Sequence, residues 1–416
     1  MSPPRGKWFT CTPIRFNGDH TFFARDSGLL CKGFQEIGVE CKAIMPGPPM
    51  ENDQVADLIR TEYSNLADAE WWKSLGGEGV VFYGWGDGKY LAIARAIKRS
   101  GLILVSNMDT AGLFSMLNGV ADFSASLWRV AKGERGESLG TLAYSIAQIG
   151  FAVTLGLVKN DFRRALHLRK ADVIGAISPL ALERIRKVCR FYGGAELVRR
   201  VQLVPHPNAS YMIADPAIPK ERLVVAVGRW DDAQVKGTAL LLETGARIAA
   251  GDPQVIVEIY GRTTPVMEAW HRELPAEQCQ RIRLMGIVPN IEVRRALQRA
   301  RVSLCTSLRE GYHTVSAEAL CCGCSIVGPD VAEIPSMKWF TDGPFGRMAE
   351  RTTMGLAQAV LAEFAAWDAG QRDAADISRH WAGILHAPRV AERILELADR
   401  LGDAGLGRAS GPILSI

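Results

Sequence analysis

No charge of one sign dominates this chain. Its 416 residues carry 49 Lys and Arg against 45 Asp and Glu, a net charge of +4. That near-balance, with no RNA- or DNA-reading motif, argues against nucleic acid as a partner. A disulfide framework is also lacking. The nine cysteines are odd in number, scattered, and set mostly inside apolar strand or helix patterns, which fits a reducing cytosol. The opening MSPPRGKWFT has neither the apolar core nor the cleavage site of a signal peptide. No metal-ligand cluster stands out. Asp231-Asp232 has no further carboxylate at a useful local spacing and reads as a turn and helix cap. Cys321-x-x-Cys324 has ligand-like spacing but no second pair, and reads as packing.

What is present is ordinary in bulk and patterned in detail. With 48% hydrophobic and 23% charged residues, the composition is that of a soluble globular protein, and the length suits two domains. Short apolar strand signals alternate with longer amphipathic patterns, which argues α/β with parallel sheets. In the first half the strand signals fall at 8–14, 40–45, 79–83, 102–106, 173–177 and 201–204. In the second they fall at 223–227, 255–260, 281–285, 302–306 and 325–327. Residues 204–220 hold four prolines without helical or strand period and read as a linker. The expected division is a first Rossmann-like domain over 1–208, a linker over 209–220 and a second Rossmann-like domain over 221–385. A helix at about 386–402 is placed to cross back to the first domain. The Gly-rich tail from 405 onward reads as loose.

The most informative stretch is REGYHTVSAEALCCGCS, residues 309–325. Glu310 and Glu318 are spaced so that two such residues can share a helix face at opposite ends of two turns. The stretch reads as strand, Glu-Gly turn, helix, Gly, strand. That turn sits where a strand ends and a helix begins, the place where open α/β sheets bind phosphorylated ligands. Upstream, LVVAVGRWDDAQVKG ends a buried strand, turns at Gly228, places Arg229 next, and starts a helix after Lys236-Gly237. Two cations brought together there can clamp a diphosphate. A surface loop with two solvated charges is the competing reading, and the pair alone does not decide. Further strand signals end at Gly261 and Gly286, and the loop 287–290 either contacts a nucleobase through its backbone or is an ordinary turn.

In this order, Gly-Arg…Lys-Gly, then strand-Gly-x-Val, then Glu-Gly…Glu-Ala…Cys-Gly, the motifs resemble the donor domain of retaining GT-B glycosyltransferases of family 4, the glycosyl transferases group 1. The resemblance covers roughly 221–335 and extends more weakly to ADVIGAIS at 171–178. It implies an α/β GT-B fold with two Rossmann-like domains facing across a cleft. It also implies hexosyl transfer from a nucleoside-diphosphate sugar, of UDP or GDP type, to the hydroxyl of a glycan, lipid-linked or small-molecule acceptor, with no metal or other cofactor. Residue by residue, Arg229 and Lys236 match the cations that hold the diphosphate, one position further apart than is usual there. Glu310 matches the carboxylate on the transferred sugar's hydroxyls, and Glu318 the one that holds the ribose. Gly228 and Gly261 fall on the donor side, and Val288 where the base is held. Gly311, Tyr312, His313 and Thr314 match the backbone that approaches sugar and phosphates. Tyr312-His313 stands where the family commonly has an aromatic residue and then Gly. The chemistry fits these roles: negative charge develops on the diphosphate as its bond to the sugar breaks, and fixed cations there favour the transition state.

The acceptor side is less legible. Gly18 is expected at the mouth of the cleft, with Asp19 and His20 opening the next helix. His20 either hydrogen-bonds an acceptor hydroxyl or the leaving phosphate, or is a solvated first-turn residue behind an Asp19 cap; the neighbouring Arg15, Asn17 and Gly18 tip the reading toward function. Where many family members carry a His-Asp pair, this chain has Met108-Asp109. A thioether donates no strong hydrogen bond, so either Asn107 or Asp109 takes over, or catalysis is weakened or differently arranged. Trp85 in YGWGDG either stacks on a sugar or packs. Residues 138–158 carry no charge and could nominally span a bilayer, but the run is only moderately apolar and reads as a buried helix. Basic residues on both sides make peripheral membrane contact through 129–170 the second reading, suited to a lipid-linked acceptor. The expected location is cytoplasmic, or peripheral at the inner face of a membrane. Three other functions compete. A phosphorylase needs a pyridoxal-phosphate lysine and more length, and a sugar-nucleotide epimerase needs paired carboxylates and histidines that the first domain does not assemble. A non-catalytic GT-B binding module is favoured by Met108.

Overall fold

In the computed structural model, residues 6–405 are described; the tail beyond them lies outside the described residues. The chain forms two compact units. One holds residues 6–117, 154–209 and 386–405, and the other holds 118–153 and 210–385. The first unit carries seven strands: β1 Trp8–Cys11, β2 Cys41–Pro46, β3 Leu58–Thr61, β4 Gly79–Phe82, β5 Ile103–Met108, β6 Val173–Ala176 and β7 Val201–Leu203. Their order is β3-β2-β1-β4-β5-β6-β7. The second carries β8 Glu221–Val227, β9 Ile256–Tyr260, β10 Ile282–Gly286, β11 Ala300–Leu304, β12 Ser325–Pro329 and β13 Gly346–Ala349, ordered β10-β9-β8-β11-β12-β13. Adjacent strands pair parallel throughout. Strand order reverses between β1 and β4, and again between β8 and β11, which makes both sheets doubly wound and Rossmann-like. β3 and β13 had no counterpart among the strand signals, and each is the outermost strand of its sheet.

Parallel strands covered by helices on both faces are buried on both, so they read as continuous apolar runs. Trp8 and Phe9 illustrate the alternation. Phe9 joins Phe82, Leu104 and Ile174 in one core layer, while Trp8 stacks on Phe34 at 5.4 Å in the other. The last helix, Ala387–Gly405, puts Val390, Ile394, Leu395 and Leu397 into that second layer, beside the helix Asp26–Glu36. The linker segment is fastened here too: the Ala387 N–H donates to the Asn208 carbonyl at 2.8 Å, and residues 204–209 are buried.

The apolar run behaves differently from its expected burial. It lies in a 30-residue helix, Leu139–Leu168, whose most apolar window has a mean hydropathy of 1.6 and is only 17% buried. Up to position 161 the buried residues are Thr141, Ser145, Gly156 and Asp161. Leu139 is 85% exposed and Val158 68%, with Ile146, Phe151 and Leu155 exposed as well. Polar and small side chains face the protein while apolar ones face outward, the reverse of a helix on a soluble core.

Gly33 tests the seat of the last helix. A Cβ there would stand 2.4 Å from the Ala387 carbonyl oxygen. Gly33→Ala is expected to lower stability by about 1–3 kcal/mol, measured as a drop in the urea midpoint; an unchanged midpoint would contradict this packing.

Candidate functional site

In the second unit the strand ends are drawn together by glycines. The Gly228 N–H donates to the Tyr260 carbonyl at 3.1 Å, and the Gly261 N–H to the Gly286 carbonyl at 2.8 Å. Gly261 has φ +115°, and a Cβ on it would lie 1.9 Å from the Gly228 oxygen, so no side chain fits. Val288 sits half-buried in the loop beyond Gly286.

Next to this row, two loops meet. The Leu308 N–H donates to the Val235 carbonyl at 2.7 Å, and Thr306 Oγ1 donates to the Lys236 carbonyl at 2.8 Å. Gly237 turns the chain in the left-handed region, φ +68°, directly against the Thr306 carbonyl. The result is that Lys236 Nζ lies 2.5 Å from Glu310 Oε1, with Ser307 Oγ donating to the same oxygen at 2.8 Å. Both Lys236 and Glu310 are largely buried there, a setting in which an ion pair is much less screened than at the surface. Arg351, which the sequence reading passed over, donates through Nε to the Thr306 and Ser307 carbonyls at 3.2 Å each. The Glu310 N–H donates to the Glu333 carbonyl, and the buried Glu333 carboxylate receives Arg129 at 3.0 Å. Arg229 is not drawn into this cluster: its side chain is 80% exposed, with Asp232 4.0 Å away.

The two glutamates do not share a helix. Glu310 precedes the helix Thr314–Cys321, and Glu318 lies on it, half-buried. Burial alone raises the Glu318 carboxyl from the usual 4.5 to about 7. Gly311 is half-buried and Thr314 exposed at the helix start, whereas Tyr312 and His313 turn inward. Tyr312 packs edge-on to Phe340 at 5.3 Å. His313 caps the helix, its Nδ1 accepting from the Ser316 N–H at 3.2 Å, and burial holds it near a pKa of about 4, hence neutral. Their side chains therefore serve packing and capping. Cys321 and Cys324 are buried, and Cys324 Sγ donates to the Leu297 and Ala300 carbonyls. Among the described residues no group of three or more His, Cys, Asp or Glu is placed to hold a metal ion.

In the first unit a cavity of about 320 Å³ opens at the carboxyl ends of β1, β4 and β5, where strand order reverses. Asp109, Tyr83, Trp85 and Asp26 line it. His206, another residue the sequence reading missed, donates through Nε2 to Asp109 Oδ1 at 2.8 Å. Desolvation opposes this ion pair, yet the attraction prevails: Asp109 is held below the usual carboxylate range and His206 above the usual imidazole one. Met108 is fully buried in the core against Gly86, and Asn107 is buried; neither lines the cavity. Gly18 has a structural reason: its N–H donates to Asp53 Oδ1 at 3.0 Å, and a Cβ would strike Leu58 at 2.2 Å. Asp19 caps the short helix His20–Phe23, accepting from the Thr21 and Phe22 N–H groups, and His20 is exposed.

Two doubly wound parallel sheets, each with its loops gathered at the strand carboxyl ends, place the molecule in the GT-B class of folds. Residues 221–363 match the family model described as Glycosyl transferases group 1. The chain is similar in structure to the lipopolysaccharide outer core galactosyltransferase WaaB in its apo form, with TM-score 0.61 and 15% identity over 95% of this chain and 99% of that one. It is similar to sucrose-phosphate synthase from Thermosynechococcus elongatus, TM-score 0.58 and 15% identity over 96% and 100%. It is also similar to HepE from Anabaena in complex with UDP and glucose, TM-score 0.57 and 12% identity over 95% and 100%. No curated protein matches the chain.

The raised Glu318 carboxyl has a consequence for stability. Between about pH 4.5 and 7 the folded chain holds a proton that the unfolded chain has released, so stability from this group falls as pH climbs through that window. Glu318→Gln is expected to flatten that part of the melting-temperature profile between about pH 5 and 8. A profile identical to wild type would show that Glu318 is already ionised at low pH.

Proposed function

We propose that the chain is a retaining glycosyltransferase that moves a sugar from a nucleoside-diphosphate sugar to a hydroxyl acceptor, a glycan or lipid-linked molecule, without a metal. The observation that carries this reading is the Lys236–Glu310–Ser307 cluster, built from two loops that both fall inside the segment matching glycosyl transferases group 1. Lys236, with Arg229 able to turn in from solvent, would hold the diphosphate as negative charge gathers on it. Glu310, oriented by Lys236 and Ser307, would accept hydrogen bonds from the hydroxyls of the transferred sugar. Glu318, whose carboxyl burial raises to about 7, would accept hydrogen bonds from the ribose hydroxyls. The HepE neighbour, solved with UDP and with UDP-glucose, makes UDP-sugars the first donors to try and GDP-sugars the second. The non-catalytic reading stays distinguishable, because the Lys236–Glu310 pair is closed on itself here. A binding module would take up nucleotide and release no sugar.

The outward apolar helix supports work at a membrane surface. Leu139, Ile146, Leu155 and Val158 face outward, and Lys132, Arg135, Lys159 and Arg163 are close to them in sequence. Apolar side chains beside cations suit the interface of an anionic leaflet, and the WaaB neighbour's lipopolysaccharide substrate is in keeping with a lipid-linked acceptor.

Glu310→Ala is expected to abolish sugar transfer, and slow donor hydrolysis, from a panel of UDP-, GDP- and ADP-sugars while nucleotide binding by calorimetry stays largely intact. Glu318→Ala should weaken nucleotide binding by about 1–3 kcal/mol; equal affinity in the variant and wild type would contradict the ribose assignment. Wild-type binding with no turnover of any donor would favour the module. In flotation, the protein should rise with anionic vesicles at low salt and Leu155→Glu/Val158→Glu should not; no association of wild type at low salt sinks the membrane reading.

A further inference from the structure

We infer that Arg129 is a positioning residue for Glu310, acting through Glu333 from a helix that the chain lends to the second unit 204 positions earlier. The inference deepens the glycosyltransferase reading and rests on it for its purpose, since that reading sets Glu310 against the transferred sugar. The geometry of the link stands apart from it. The turn that carries Glu310 is backed by a second segment. The Glu310 N–H donates to the Glu333 carbonyl at 3.2 Å, and the His313 N–H donates to Ser336 Oγ at 3.3 Å. These two bonds bracket the turn, so its place follows that of residues 333–336. That segment is buried, and just before it the Asp330 N–H ties the chain to the Ala349 carbonyl of β13 at 2.8 Å.

The Glu333 carboxylate sets the condition on this backing. It is 4% exposed, its Oε2 has no hydrogen-bond partner, and its Oε1 receives Arg129 Nε at 3.0 Å. A buried carboxylate that loses its cation is strongly destabilised where it stands. Residues 333–336 therefore keep their place only while Arg129 keeps its own. Arg129 is carried by the helix Val120–Arg135, and the same helix meets the turn a second time. Gly133 lies four positions on and so on the same face. A Cβ on it would stand 2.2 Å from Leu308 Cδ2, and the Leu308 N–H is bonded to the Val235 carbonyl beside Lys236. One helix face thus touches both flanks of the Lys236–Glu310 pair, Leu308 on one side and Glu333 on the other. Each carboxylate of this corner has its own cation, Lys236 for Glu310 and Arg129 for Glu333. Arg351 is also in electrostatic reach of Glu333, but its Nε is bonded to the Thr306 and Ser307 carbonyls. With Arg129 gone, Glu333 would draw on Arg351 and loosen the turn from that side as well.

The test uses the full chain. Hydrogen–deuterium exchange is followed by mass spectrometry, without nucleotide, in peptides spanning 306–316, with peptides from β8 as the reference. Arg129→Gln is expected to speed exchange in 306–316 about tenfold and leave β8 unchanged. Arg129→Lys, which keeps a cation, should retain most of the protection. With whichever UDP-, GDP- or ADP-sugar the wild type turns over fastest, Arg129→Gln should lower kcat about tenfold, while KM and UDP affinity move by less than about twofold. In a Glu333→Met background, Arg129→Gln should bring no further loss, because Arg129 acts through Glu333. That pair of variants buries no unpartnered carboxylate, and it decides the matter if Arg129→Gln alone folds poorly. Wild-type exchange or wild-type kcat in Arg129→Gln, a further loss in the Glu333→Met background, or faster exchange throughout the second unit that Arg129→Lys does not rescue would overturn the inference. Faster exchange confined to 306–316, together with absent turnover of every donor by the wild type, would leave the positioning of Glu310 standing and remove the glycosyltransferase reading instead.

Discussion

All neighbouring strands of both sheets run parallel, and this constraint organises the rest of the molecule. A parallel pair cannot be closed by a tight turn, so each return passes through a longer crossover, usually a helix. The carboxyl ends of all strands in a unit then open along one edge, and the loops that leave them are neighbours whatever their distance in sequence. In the second unit this edge brings Lys236 and Glu310, 74 positions apart, to 2.5 Å. In the first it brings Tyr83, Asp109 and Asp26 around one cavity. The glycine at 261 is a consequence of the same geometry, because a Cβ there would lie 1.9 Å from the Gly228 carbonyl oxygen on the neighbouring strand end.

Within that frame, two carboxylates from one short stretch are given opposite surroundings. Glu310 receives an ammonium and a hydroxyl on the same oxygen, which fixes its direction. Glu318 receives burial without a cation, which favours its neutral form. A group of the first kind is already oriented before a ligand arrives. A group of the second kind gains most when hydroxyl donors come to it. The difference in environment separates the two roles more firmly than their spacing does.

The interior strands were legible because burial on both faces writes them as unbroken apolar runs. β3 and β13 were not, and their sequences say why. Each is short, each lies at a sheet edge, and each carries an arginine, Arg60 paired with Asp53 and Arg347 with Glu363. The donor motifs were legible because each is local: a strand end, a glycine and a charge within a few residues. Arg351 and His206 were not, since each becomes relevant only through a partner far along the chain, Thr306 for one and Asp109 for the other. The inward turn of Tyr312 and His313 depends on Phe340 and Ser316, and residue type alone does not give side-chain direction. The apolar run failed for a related reason. Composition cannot tell a core helix from a surface one, and here the inward positions went to Thr141 and Ser145.

The two units also divide charge. In the second unit's loop cluster Lys236 pairs with Glu310 and Arg351 donates to the Thr306 and Ser307 carbonyls, while Arg229 stands exposed to solvent. In the first unit's cavity each carboxylate has its own cation, Arg25 beside Asp26 and His206 beside Asp109. Met108 fits this division: with its thioether sunk in the core, the strand end is left to Asp109, whose charge His206 balances from a different strand end.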